Sequence, residues 1–117
     1  MRSNGTTVAF YKRSDGMLVG YKAQGHSDYA DAGSDIVCAA VSALTQATAN
    51  GITKILKAPA RYSQNDRDAV LELRLSDACS DDLVDRAQLL FETLLQAVQS
   101  IQADFPQNVR VIFKEWR

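Results

Sequence analysis

Apolar residues recur along this chain with two periods, one suited to strands and one to helices. Thr6 to Lys12 is rich in β-branched and aromatic residues and predicts a strand. Arg13-Ser14-Asp15-Gly16 follows, and Asp-Gly between two such runs predicts a hairpin turn. Met17 to Ala23 is the return strand, with Met17, Val19, Tyr21 and Ala23 on one face and Leu18, Gly20 and Lys22 on the other. Ala69 to Leu75 predicts another strand: Leu71, Leu73 and Leu75 face in, while Glu72 and Arg74 face out. Val109 to Glu115 predicts the last, with Val109, Val111 and Phe113 on one face.

Two stretches carry the helical period. A first helix is expected from about Asp35 to Ala49, with Ser34 as N-cap, Asp35 in the first turn and Asn50-Gly51 as the stop. Ser80-Asp81-Asp82 opens a second helix, whose stripe is Leu83, Ala87, Leu90, Leu94, Val98, Ile101 and Phe105, widened by Phe91 and Leu95 and closed by Pro106. Ile52 to Ala60 predicts a short strand, which Pro59 keeps out of the sheet centre, and residues 63–68 predict a polar turn. The order β-β-α-β-β-α-β implies an α+β two-layer sandwich. Its sheet is mostly antiparallel, with both helices on one face. No repeat or linker interrupts residues 1–117, so one domain is expected.

Composition narrows the function classes. The net charge of −1 offers no electrostatic footprint for nucleic acid, and no direct nucleic-acid partner is expected. No apolar run is expected to span a bilayer, and the first residues, Met1-Arg2-Ser3-Asn4-Gly5, carry no apolar signal segment. The expected location is cytoplasmic, without a membrane partner. Two cysteines and one histidine suit neither a disulfide framework nor a zinc site, so no metal or cofactor is expected.

The candidate chemistry lies between Gly25 and Cys38, where a polar loop bracketed by glycines runs into an apolar, alanine-rich helix. His26 is the only histidine, so any Cys–His pair must use it. A thiol near a helix N-terminus and beside an imidazole is readily ionised. In such a pair the imidazole takes the thiol proton and later protonates a leaving amine. Backbone N–H groups near residues 33–35 are placed to hold an oxyanion. The alternative stays open at this point: Cys38 sits among Ile36, Val37, Ala39 and Ala40, and a cysteine in apolar company is usually an inert core residue. Ser42 and Asp35 share a helix face with Cys38. Asp35 either orients His26, binds backbone donors, or only favours the helix dipole. Cys79, with no histidine to serve it, is expected to be structural.

The block Gly-His-x-x-Tyr-Ala-x-x-Gly-x-Asp-Ile-Val-Cys-Ala-Ala-Val-Ser-Ala-Leu, Gly25 to Leu44, resembles the bacterial ribosomal-processing cysteine protease family, Prp. The likeness extends through the strand–turn–strand before it and on to the ending Phe105-Pro106-Gln107-Asn108-Val109-Arg110-Val111. It implies a cysteine endopeptidase with Cys38 as nucleophile and His26 as base, Asp35 and Ser42 matching further polar positions. It also implies a homodimer that removes an N-terminal extension from large-subunit ribosomal protein twenty-seven, at a site preceded by aromatic residues. A mobile loop that orders over the bound peptide corresponds here to Ser27, Asp28, Tyr29, Ala30, Asp31, Ala32, Gly33 and Ser34, with Gly25 and Gly33 suited to its hinges. Ser27 and Asp28 replace the Ala and Gly that the family commonly has after the histidine. Asp28 and Asp31 suit a basic peptide, such as one with lysines after the cut site. A reading of another class is a non-catalytic, ribosome-associated assembly module, which requires Cys38 to be fully buried.

Overall fold

The computed structural model describes residues 5–25 and 32–116, without the side chains of residues 32–35. The elements are β1 (Thr6–Lys12), β2 (Leu18–Gln24), α1 (Ala32–Asn50), β3 (Ala60–Asn65), β4 (Val70–Leu75), α2 (Asp81–Asp104) and β5 (Val109–Glu115). A π-helical turn, Gly51–Ile55, continues α1. The strands form one five-stranded sheet in the order β3-β4-β2-β1-β5. All neighbours are antiparallel except β1 and β5, which run parallel. This is the expected two-layer α+β sandwich.

Register explains why both helices share a face. Phe10 pairs with Tyr21, and Tyr21 with Leu73, so all three point the same way, and all three are fully buried. Tyr21 touches both helices. Its ring meets that of Phe91 in α2 edge-on at 6.1 Å, and its hydroxyl donates to the Thr45 carbonyl of α1 at 2.6 Å. Burying each such aromatic contributes roughly 1.5–3 kcal/mol, so this row is the centre of the core.

α2 forms largely as its sequence predicts. Ser80 caps it by accepting from the Leu83 N–H at 3.2 Å, and Asp81 and Asp82 lie in the first turn. Ala87, Phe91, Leu94 and Val98 are buried, joined by Val84, which the expected stripe lacked. Phe105 leaves that stripe: it is the C-cap residue and exposed.

Five expectations are corrected. Ser34 lies inside α1 rather than at its cap, because the helix already runs from Ala32. Asn50-Gly51 does not stop the helix. Gly51 is a buried crossing point, where an added Cβ would come within 3.3 Å of Leu90 in α2. The run ends instead at Lys57 (φ 60°), with Leu56 and Ala58 N–H groups reaching back to the Gly51 and Ile52 carbonyls. Residues 52–59 form no strand, since Ile52 is buried by that helical continuation. The strand is β3, so residues 63–65 are extended and the turn covers 66–69. Polarity misled here because β3 is an edge strand, exposed along most of its length. Finally, Ile36–Ile55 is long and apolar enough to cross a bilayer by length and composition, and here it is the helical segment packed on the sheet and α2.

Candidate active site

α1 buries one narrow row: Val37, Val41, Thr45 and Ala49, each four residues apart. That spacing keeps them on one line of the helix surface. Cys38 and Ser42 each follow a member of this row by one residue. They therefore stand at its edge, and both are half-buried. They line an open cleft of about 170 Å³ between α1 and one end of the sheet. Thr6, Gln24, Gly25 and Leu71 also line it, with Gln64, Asn65 and Asp66 from β3 and the turn after it.

The walls of the cleft are held by polar contacts. Thr45, fully buried, donates to the Val41 carbonyl at 2.8 Å, and Tyr21 bonds the Thr45 carbonyl from beneath. Ser42 Oγ accepts from Gln46 Nε2 at 2.9 Å. On the opposite wall Tyr62 donates to Gln64 at 2.7 Å, and Gln64 donates to Asp66 at 3.0 Å. Burial, and then the Asp66 carboxylate, push the Tyr62 phenol up.

Gly25 closes the end of β2. Its φ is +126°, and a Cβ there would fall on the Gly5 carbonyl oxygen. Only glycine fits without strain. Its N–H donates to the Ala69 carbonyl at 3.2 Å, so this corner is pinned rather than loose.

The structure brings Gly25, Cys38 and Ser42 to one cleft. His26, Ser27, Asp28, Tyr29 and Asp31 lie outside the described residues. Gly33 and Ser34 lie in the first turn of α1 rather than in the loop, and Asp35 lies one turn before Cys38 on the same helix. Because α1 begins at Ala32, Cys38 stands six residues in, about 9 Å along the axis. The field of a helix terminus fades within its first turn. Sequence reasoning missed Gln64 and Asn65, because a turn assignment hid their pairing with β4 opposite Leu71 and Val70, and with them Asp66 in the turn that follows. Cys79 is half-buried against the core, and burial pushes its thiol up. Among the described residues, no three His, Cys, Asp or Glu side chains gather as a metal site.

Similar proteins share this fold. The profile of the Peptidase_Prp family, described as cysteine protease Prp, matches residues 6–110. The ribosomal processing cysteine protease Prp of Staphylococcus aureus is 28% identical over 108 residues, covering 92% of this chain and 98% of that protein. The crystal structure of an essential ribosomal processing protease Prp from S. aureus in complex with a substrate peptide superposes with a TM-score of 0.80 at 27% identity, covering 93% of this chain and 99% of that one. A second S. aureus Prp structure, with a covalently linked product peptide, gives 0.76 at 28% identity and the same coverage. The chain belongs to the Prp family of cysteine proteases.

Proposed function

We propose that this chain is a cysteine endopeptidase that removes the N-terminal extension of large-subunit ribosomal protein twenty-seven during ribosome maturation. It acts as a cytoplasmic homodimer and without a cofactor. Cys38 is the nucleophile and His26 the base. The imidazole takes the Cys38 proton, and the thiolate attacks the scissile carbonyl. The tetrahedral oxyanion collapses to a thioester as the imidazolium protonates the leaving amine. Water then hydrolyses the thioester with the imidazole again as base.

The observation that carries this reading is the placement of Cys38. It lines an open cleft, whereas a purely structural module calls for full burial, and Cys79, half-buried against the core, is not on that cleft. Gly25, which precedes His26 in the sequence, lines the same cleft. The S. aureus protein holds a product peptide covalently, as a thioester route requires. Ser42 and Asp35 support the dyad in this scheme, and Asp28 and Asp31 favour basic residues of the peptide.

The test is cleavage of a synthetic peptide carrying the extension and the first residues of the mature ribosomal protein. Cys38→Ala and His26→Ala are each expected to abolish cleavage, while Cys79→Ala leaves it intact. Full activity in Cys38→Ala ends the proposal. A thiol reagent is expected to modify Cys38 before Cys79, whose labelling rises only as pH climbs, since burial holds that thiol protonated.

A further inference from the structure

Among the described residues, no helix covers the second face of the sheet. Register places Lys22, Arg61, Arg74, Arg110 and Lys114 on it, against one carboxylate, Glu72. That carboxylate is already engaged, accepting from the Tyr11 hydroxyl at 2.5 Å with Arg74 3.9 Å away. Among the described residues, no carboxylate pairs with Lys22, Arg61, Arg110 or Lys114. On the other side of the molecule, α2 carries Asp81, Asp82, Asp85, Glu92 and Asp104 with the single cation Arg86. A net charge of −1 therefore conceals a basic face and an acidic one.

The basic face also holds an aromatic platform. The Trp116 ring lies 5.1 Å from that of Tyr11, and the Arg74 guanidinium sits 4.5 Å from the Trp116 centroid. Tyr11 and Arg74, the two side chains that contact the indole, flank Gly20 in one row across the sheet. Trp116 remains half-exposed. Arg61 on one edge strand and Lys114 on the other bracket it, about 19 Å apart at roughly 4.8 Å per strand.

We propose that this open sheet face docks single-stranded RNA: phosphates on the cations at the two edges, a base on Trp116. Charge complementarity requires a polyanion. A second copy of this chain does not supply one, because a two-fold contact through this face would set its cations against themselves. An acidic peptide or an anionic membrane would satisfy the charge but leave the flat, half-exposed indole without a role, whereas every base offers a ring to stack on it. The choice of RNA over DNA rests on the ribosomal substrate proposed above; the charge argument does not.

The experiment is fluorescence anisotropy with a labelled single-stranded RNA of mixed sequence, using the full chain over a salt series. Four cations without carboxylate partners give an expected slope of log K against log salt of about −3, at roughly 0.7 per phosphate contact on a single strand. Arg61→Glu with Lys114→Glu, both exposed, is expected to weaken binding at least about tenfold and flatten the slope by about half. Trp116→Ala is expected to weaken it about fivefold or more without changing the slope. Arg86→Glu on α2 changes neither. Peptide cleavage, read in the same variants, stays at the wild-type level, which separates this proposal from the protease reading. RNA binding absent at low salt overturns the proposal. So does equal loss in Arg86→Glu, polyglutamate or anionic vesicles bound as tightly as RNA, or single-stranded DNA bound more tightly.

Discussion

α1 and α2 lie side by side on one face of the sheet, yet they are held there differently. α2 buries a broad face, Val84, Ala87, Phe91, Leu94 and Val98, and carries its own cap in Ser80. α1 buries a single row, and its firmest tie is the Tyr21 hydroxyl reaching up from the sheet. Threonines 45, 48 and 53 turn their hydroxyls back onto carbonyls of the same helical run. A helix anchored along one narrow line leaves its flanks free, and Cys38 and Ser42 occupy such a flank. The contrast separates two tasks: α2 stabilises the sandwich, and α1 presents Cys38 and Ser42 to the cleft at its edge.

Substitutions can break this contrast, and the largest expected effect comes from exchanging the two tasks. Phe91→Ala removes a fully buried ring and is expected to cost about 3–5 kcal/mol in urea unfolding. Cys38→Ala is expected to end cleavage while shifting the unfolding midpoint little. A Cys38→Ala protein as destabilised as Phe91→Ala would show that α1 too is a stability element.

Gly25→Ala comes next. It forces a side chain into a left-handed backbone position already blocked by Gly5. The expected cost is about 1–3 kcal/mol, together with a clear loss of cleavage, because Gly25 is part of the cleft wall. Unchanged cleavage would detach this corner from the site.

Tyr21→Phe then deletes only the tie to Thr45. A loss of about 1–2 kcal/mol is expected, with amide exchange quickening in α1 more than in α2. Equal quickening in both helices would remove the special role assigned to this hydroxyl. The smallest effect is expected from Ser80→Ala, about 1 kcal/mol, with faster exchange confined to the first turn of α2 and cleavage unaltered.

How far the chain could be read in advance follows the same division. β1 and β5 match their predicted ends, and α2 starts at its cap, because hairpin chemistry, alternation and Ser-Asp-Asp capping are local signals. The errors cluster between residues 50 and 68, where tertiary contact outweighs local preference. Gly51 looks like a helix stop until α2 is found packed against it. Ser63, Gln64 and Asn65 look like a turn until β4 pairs with them.

Cys38 was visible as a candidate from its motif with His26, but its accessibility was not. Whether a cysteine in apolar company is sealed or exposed depends on where the neighbouring row of Val37 and Val41 points, and that is set by the sheet. The same holds for charge. Composition sums Lys22, Arg61, Arg110 and Lys114 with the aspartates of α2, whereas strand register sends them to opposite sides. Local propensity and motif are written residue by residue along the chain and determined the element order and the family. Cleft, anchoring and the two-faced charge distribution arise from residues far apart in sequence, and packing alone decided them.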